Sequence, residues 1–251
     1  MIDKLEMFIA LANEEHFGRA AVECGVTQPT LSAGIKQLEE QLGVMLVWRG
    51  SRYRGLTPEG ARVLDWARQI VADTRTMREE MRAVKKGLSG NLRLAAIPTA
   101  LAMVSQLTTP LTARHPNLQF TVLSRTSAEI LQMLENLEID AGITYLDNEP
   151  LGRVTTVPLY AEHYNLVARS GTPLTDRKTV TWAEVAALPL CLLTSDMQNR
   201  RIVNHHLAEA GAQVTPRLVS NSVITLVSHV LTGDWATILP MKTADLFLQA
   251  G

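Results

Sequence analysis

Gln28, Thr30, Ser32 and Lys36 lie off the apolar face of one short segment, and their amide, hydroxyl and ammonium groups suit base edges and phosphates. They sit inside residues 17–42, FGRAAVECGVTQPTLSAGIKQLEEQL, which read as two short helices joined by a tight turn. Phe17, Ala20, Ala21 and Cys24 recur at helical spacing, and Gly25 stops the first helix because a left-handed residue costs glycine little. Val26 plugs the turn. Thr27 caps the second helix, and Pro29 falls in its first turn, where a missing N–H is harmless. Leu31, Ile35, Leu38 and Leu42 then share one face. An α-helix fits the major groove of DNA. The competing reading is an ordinary αα-hairpin inside a helical bundle.

The flanking residues weigh against the hairpin. Leu5, Phe8, Ile9 and Ala12 predict a third helix over 2–14 that closes a small trihelical core. Residues 43–60, GVMLVWRGSRYRGLTPEG, carry Arg49, Arg52 and Arg54 between apolar Val44, Leu46 and Leu56. That pattern predicts a β-wing with a basic tip able to reach phosphates or a minor groove. A solvated basic loop is the alternative, but three arginines so close behind a helix of recognition type favour the wing.

FGRAA (17–21), VTQPTLS (26–32), IKQLEEQLGV (35–44) and LTPEG (56–60) together resemble a LysR-type transcriptional regulator. The resemblance implies a winged helix-turn-helix over 1–57, with Gln28, Pro29, Thr30, Ser32, Lys36, Arg49, Arg52 and Arg54 as the DNA-contacting set. It implies a dimer or a dimer of dimers, a homotetramer, on a dyad operator in double-stranded DNA. It also implies a small-molecule effector, RNA polymerase as a further partner, no cofactor and no metal. One departure stands out. Ala33-Gly34 follow Ser32 where the family often has arginine, and Gly34 weakens helix propensity by roughly 1 kcal/mol relative to alanine.

The bulk numbers fit two globular domains: 251 residues, 46% hydrophobic and 20% charged. The net charge of −1 conceals a local bias, since Gly43 to Arg62 hold four arginines against Glu59 alone. The two cysteines, Cys24 and Cys191, are expected as buried free thiols in different domains. No basic stretch followed by an apolar one opens the chain, and no apolar run reaches membrane-spanning length, so a soluble cytoplasmic protein with no membrane partner is expected.

Thr57-Pro58-Glu59 is a strong helix start, and the helix should run to Lys86. Val63, Ile70, Met77 and Val84 repeat every seventh residue. Ala67, Thr74, Met81 and Leu88 do the same offset by four, which predicts a dimerisation seam over 58–86. Residues 87–91 read as a hinge, and 92–251 as alternating strands and helices. Two βαβαβ units joined by crossovers give the fold class: α/β with an N-terminal all-α winged helix-turn-helix, the α/β part being a two-lobed, periplasmic-binding-protein-like effector domain. The chain ends earlier than the family usually does, so a truncated C-terminus is expected.

Ligands in open α/β sheets sit beyond the carboxyl ends of strands, where helix N-termini offer free N–H groups. Thr99 and Ala100 in the turn 97–100, and Ser127 in the turn 125–128, occupy such places. The Thr99 and Ser127 hydroxyls either line a cleft between the lobes or merely cap helices, and Thr126 with Glu129 fits a capping box. The resemblance favours ligand contact. Thr144, closing the third strand, and Asn199, opening a second-lobe helix, complete the candidate set. Hydroxyls beside helix N-termini make a small anion one candidate effector. No nucleophile elbow, Walker loop, dinucleotide fingerprint or zinc-protease motif is present, so an enzyme is not expected. Adjacent His205 and His206 make a poor metal pair, and Glu14-Glu15, Glu39-Glu40 and Glu79-Glu80 read as solvated faces. The alternative function is a small-molecule binding protein with a fused helical module that does not act on DNA.

Overall fold

A computed structural model describes the chain except residues 49–52, 148–150, 153, 173, 176 and 249–251. It divides into two compact units, Met1–Ser89 with Glu135–Glu138, and the remainder.

In the first unit α1 (Ile2–Glu14), α2 (Phe17–Glu23) and α3 (Gln28–Leu42) enclose a core of Leu5, Phe8, Leu11, Ala20, Leu31 and Leu38. Gly25 takes φ 65°, and the N–H of Val26 returns to the carbonyl of Ala21 at 2.9 Å, which makes the tight turn. The start of α2 carries a cap that the sequence reading passed over: His16 Nδ1 accepts from the N–H groups of Gly18 (3.0 Å) and Arg19 (3.3 Å). Gly34 is buried where a Cβ would stand 2.7 Å from Met7 Sδ, so a larger residue there would require the flexible Met7 side chain to shift.

α4 (Pro58–Lys86) begins as expected, with Thr57 Oγ1 accepting from the N–H of Gly60 at 2.8 Å. Leu64, Ala67 and Val71 turn inward to the trihelical core. This corrects the seam. Ala67 is consumed within the chain, while Ile70, Met77 and Met81 stay 40–57% exposed, joined on the surface by Trp66.

The second unit opens with β1 (Gly90–Ala96), so the irregular connection spans 87–89 rather than 87–91. β1 is the centre of a parallel sheet, flanked by β2 (Leu118–Ser124) and β3 (Ala141–Ile143). α5 (Leu101–Arg114) and α6 (Ser127–Glu135) are the crossovers, and Ala95, Ile97, Val104 and Ile130 are packed beneath them. The second lobe contains β4 (Tyr164–Ala168), α7 (Trp182–Ala186), β5 (Cys191–Leu193), α8 (Gln198–Glu209), β6 (Leu218–Ser220), α9 (Val223–Thr232) and β7 (Ala236–Pro240). β5 and β6 pair in parallel, as a βαβ unit should. β4 instead runs antiparallel to β7, so this lobe is not a second all-parallel unit. Among the described residues of the connection that delivers β4 there is no helix of the kind that makes a parallel crossover. α10 (Met241–Leu248), absent from the sequence reading, follows β7 directly, packs on α5 and donates a 2.6 Å hydrogen bond from Thr243 Oγ1 to the carbonyl of Thr99 in the turn before α5.

Candidate DNA reader and effector cleft

In the reader, Thr27 caps α3 through its hydroxyl, accepting from the N–H of Thr30 at 3.4 Å. Gln28, Pro29, Thr30, Ser32 and Lys36 are all exposed, while Leu31, Ile35 and Leu38 are buried, so polar groups and core divide along the helix as the spacing requires. Lys36 stands 3.7 Å from Glu40, both largely in solvent, and this weak pair leaves the ammonium available.

The described residues of the wing are its antiparallel base. Val47 and Leu56 form an antiparallel bridge, and Trp48 N–H donates to the Gly55 carbonyl at 3.1 Å. Arg54 is exposed on it, while Arg49 and Arg52 lie outside the described residues. Glu39 is not part of a solvated face. It is 7% exposed, and its carboxylate accepts from the N–H groups of Leu46 (2.9 Å) and Val47 (3.4 Å), which ties the recognition helix to the wing. Its neighbour Glu40 is exposed as expected. Gly60 holds the other side, because a Cβ there would fall 2.0 Å from the Leu46 carbonyl oxygen.

In the α/β unit a narrow cleft brings together Thr99, Ser127 and Asn199 from the predicted set. Tyr145, Met197 and Gln198, which the sequence reading missed, line it as well. Gln198 opens the same helix as Asn199, and Tyr145 follows the end of β3, so strand-end and helix-start positions were the signal for both. Ala100 is buried in the first lobe's apolar core and Thr144 is half-buried outside the cleft lining, so neither joins them.

The question of capping is answered by the hydrogen bonds. α5 starts after Ala100 with no side-chain cap, so Thr99 caps nothing. α6 is closed by Thr126 and Glu129: the Thr126 hydroxyl accepts from the Glu129 N–H at 3.2 Å, and Glu129 accepts from the Thr126 N–H at 2.8 Å. Ser127 is therefore free of that duty. Its Oγ and the Nδ2 of Asn199 are buried with no hydrogen-bond partner within 3.5 Å among the described residues, and the Asn199 side chain stands near enough to Tyr164 to favour its ionised phenol. Each such group carries an uncompensated cost of about 1–3 kcal/mol unless something binds there.

Behind the cleft, the Tyr145 hydroxyl donates to Glu162, and Tyr164 Oη lies 3.3 Å from Tyr145 Oη. Burial pushes the Glu162 carboxyl above its ordinary range, and hydrogen bonds from Tyr145 and Thr99 oppose that rise. His206 stacks on Trp182 and pairs with Glu209, as does His205, so these histidines are accounted for without a metal.

Cys191 is fully buried and its Sγ faces the carbonyl oxygens of Ala236 (3.5 Å) and Leu226 (3.7 Å). Cys24 is half-buried rather than buried. Burial raises the pKa of both thiols, with Glu23 adding to the rise at Cys24.

A helix-turn-helix reader carried in one chain with a two-lobed ligand-binding fold defines a ligand-responsive DNA-binding regulator. Residues 2–61 match the model of the bacterial regulatory helix-turn-helix proteins of the lysR family, and residues 85–251 match the LysR substrate binding domain. The DNA-binding transcriptional dual regulator OxyR of Escherichia coli is 31% identical over 95% of this chain and 78% of its own length. Among solved structures, an aspartate-substituted full-length OxyR from Pseudomonas aeruginosa matches with a TM-score of 0.74 and 28% identity, over 96% of this chain and 81% of that one. Full-length CbnR complexed with its target DNA shares the fold at a TM-score of 0.58 and 22% identity, over 98% of this chain and 84% of that one. The chain belongs to the LysR family and is a DNA-binding transcriptional regulator with an effector-binding domain.

Proposed function

We propose that this regulator is switched by reversible binding of a small molecule in the cleft lined by Thr99, Ser127 and Asn199, and not by oxidation of a thiol. The observation that carries this is the pair of buried, unpartnered polar atoms, Ser127 Oγ and Asn199 Nδ2, on one cleft. A relative from Pectobacterium carotovorum, 30% identical, is named a hydrogen peroxide-inducible genes activator. Peroxide chemistry at cysteine needs an accessible thiolate. This chain has two cysteines; Cys191 is sealed in β5 with its thiol pKa raised, and Cys24 lies in the reader. The protein then performs no catalysis and works in the cytoplasm on a dyad operator, as a dimer or a dimer of dimers. We assign 1–57 to the reader, 58–86 to a coupling and dimerisation helix, 87–89 to a hinge and the chain from β1 at Gly90 onward to the effector domain. Gln28, Pro29, Thr30, Ser32, Lys36 and Arg54, with Arg49 and Arg52, are the proposed DNA contacts. The test is a cysteine-free variant, Cys24→Ser with Cys191→Ser, assayed for transcription from the promoter upstream of its own gene with and without hydrogen peroxide. Output that matches the parent and ignores peroxide supports the reading. A peroxide response in the parent that the variant loses would return the switch to a thiol.

A further inference from the structure

Residues 135–138 belong to the first unit, although the chain on both sides of them lies in the second. The segment joins α6 to β3, and two arginines of α4 fasten it to the reader. Arg68 donates from Nη2 to Asn136 Oδ1 at 2.6 Å and to Asn13 Oδ1 of α1 at 3.3 Å, so one guanidinium spans the segment and the reader. Arg75 donates from Nη1 to the Leu137 carbonyl at 3.4 Å and pairs through Nη2 with Glu6 of α1 at 3.8 Å. The Leu137 side chain packs against the core that α1 to α4 enclose.

Local chemistry does not favour leucine at this position. α6 ends at Glu135, and Leu137 takes φ 59°, the left-handed backbone that closes many helices. Glycine or asparagine is the ordinary choice there, because a β-carbon is strained in that region. The Leu137 side chain offsets the strain through what it touches, and what it touches is the reader. A second force opposes the contact. The Glu138 carboxylate lies close enough to Glu23 of α2 to add, after burial and Glu14, to the rise in the Glu23 pKa. Attraction here is set against backbone strain and like-charge repulsion, which suits a contact with two states. Continuity of the chain links it to the cleft: α6 begins at Ser127, Tyr145 lies two residues beyond β3, and both residues line the cleft.

We propose that residues 136–138 are an intrachain latch by which the effector domain holds the reader, with Leu137 as the plug, Arg68 and Arg75 as the clasps, and withdrawal of the plug as the step that changes transcription. The trigger rests on the cleft reading; the latch rests on contacts within the first unit.

The experiment compares the parent with Leu137→Gly and Arg68→Met, each in the full chain, by hydrogen exchange and by transcription from the promoter upstream of its own gene. Leu137→Gly suits the backbone and removes only the plug. Arg68→Met keeps an apolar stem and removes a clasp. Both should speed amide exchange in 136–139 several-fold and leave β1 and β2 as in the parent. Both should also fix transcription at one level across growth conditions that vary the parent's output, with affinity for the promoter duplex within a few-fold of the parent's. Parental exchange in 136–139 in both variants would overturn the latch. So would faster exchange with output that still follows the parent, which leaves static packing. Faster exchange of β1 and β2 in Leu137→Gly would overturn it too, by giving Leu137 to the effector domain's own stability. Ser127→Trp separates the latch from its trigger. Output fixed by Leu137→Gly but responsive in Ser127→Trp supports the latch and removes the cleft as its trigger. Output fixed by Ser127→Trp but responsive in Leu137→Gly keeps the cleft reading and overturns the latch.

Discussion

Tyr145 and Glu162 are hydrogen-bonded to each other from opposite ends of the crossover that carries the chain between lobes: Tyr145 lies two residues beyond β3, and Glu162 two residues before β4. The bond therefore closes the loop at the place where the lobes must pivot if the cleft is to open and shut. Among the described residues no basic group pairs with Glu162; its hydrogen bonds come from the Tyr145 and Thr99 hydroxyls.

Replacing Glu162 with glutamine should stabilise the protein near neutral pH. The folded-state pKa of Glu162 is raised by burial, so the folded chain holds that proton more tightly than the unfolded chain. Parent stability then falls as pH rises from the unfolded value through the folded one. Glu162→Gln lacks this loss, so its melting temperature should exceed the parent's at pH 7–8 and converge with it near pH 4. Parallel melting curves for the two proteins across that range would show that the carboxyl is not strained by burial.

DNA recognition should split between the recognition helix and the wing. Arg54→Ala should weaken binding to every duplex alike and flatten the salt dependence by about one unit of slope for each phosphate the side chain neutralises. Gln28→Ala should instead relax sequence preference, at about 1–3 kcal/mol if it holds a base through two hydrogen bonds. Fluorescence anisotropy over a salt series, with operator and scrambled duplexes, separates the two effects. An unchanged salt slope in Arg54→Ala removes that side chain from the interface.

Self-association should run through the exposed row of α4. Ile70 and Met77 are 40% and 57% exposed, with Trp66 and Met81 on the same helix. Ile70→Asp with Met77→Asp would place charges in an apolar contact and should yield monomers in sedimentation. A double variant that associates as the parent does excludes this row.

The helix-turn-helix was legible because each signal was local: Gly25 at a left-handed turn, Thr27 and Thr57 at helix starts, and apolar residues at 31, 35 and 38. The alternation of strands and helices was legible for the same reason. What escaped depends on contacts distant in sequence. Glu39 looked like half of a solvated pair because its partners, the N–H groups of Leu46 and Val47, belong to backbone that folds back on it. Ala67 looked like a seam residue because heptad spacing does not say which side of a helix the trihelical core already occupies. The direction of β4 against β7 rests on strand pairing across most of a lobe, which periodicity does not encode. Thr99 and Ser127 were legible as positions, but only the hydrogen bonds of α5 and α6 relieve them of capping.

The central claim, that the cleft governs the DNA-bound regulator, is tested most directly by filling it. Ser127→Trp places an indole among Thr99, Tyr145 and Asn199 and needs no knowledge of the natural ligand. Transcription from the promoter upstream of its own gene should be held at one level, high or low, across growth conditions that vary the parent's output. Affinity for the operator duplex should stay within a few-fold of the parent's. Output from Ser127→Trp that follows the parent through every condition would contradict the account, because a blocked cleft would then have no part in the switch.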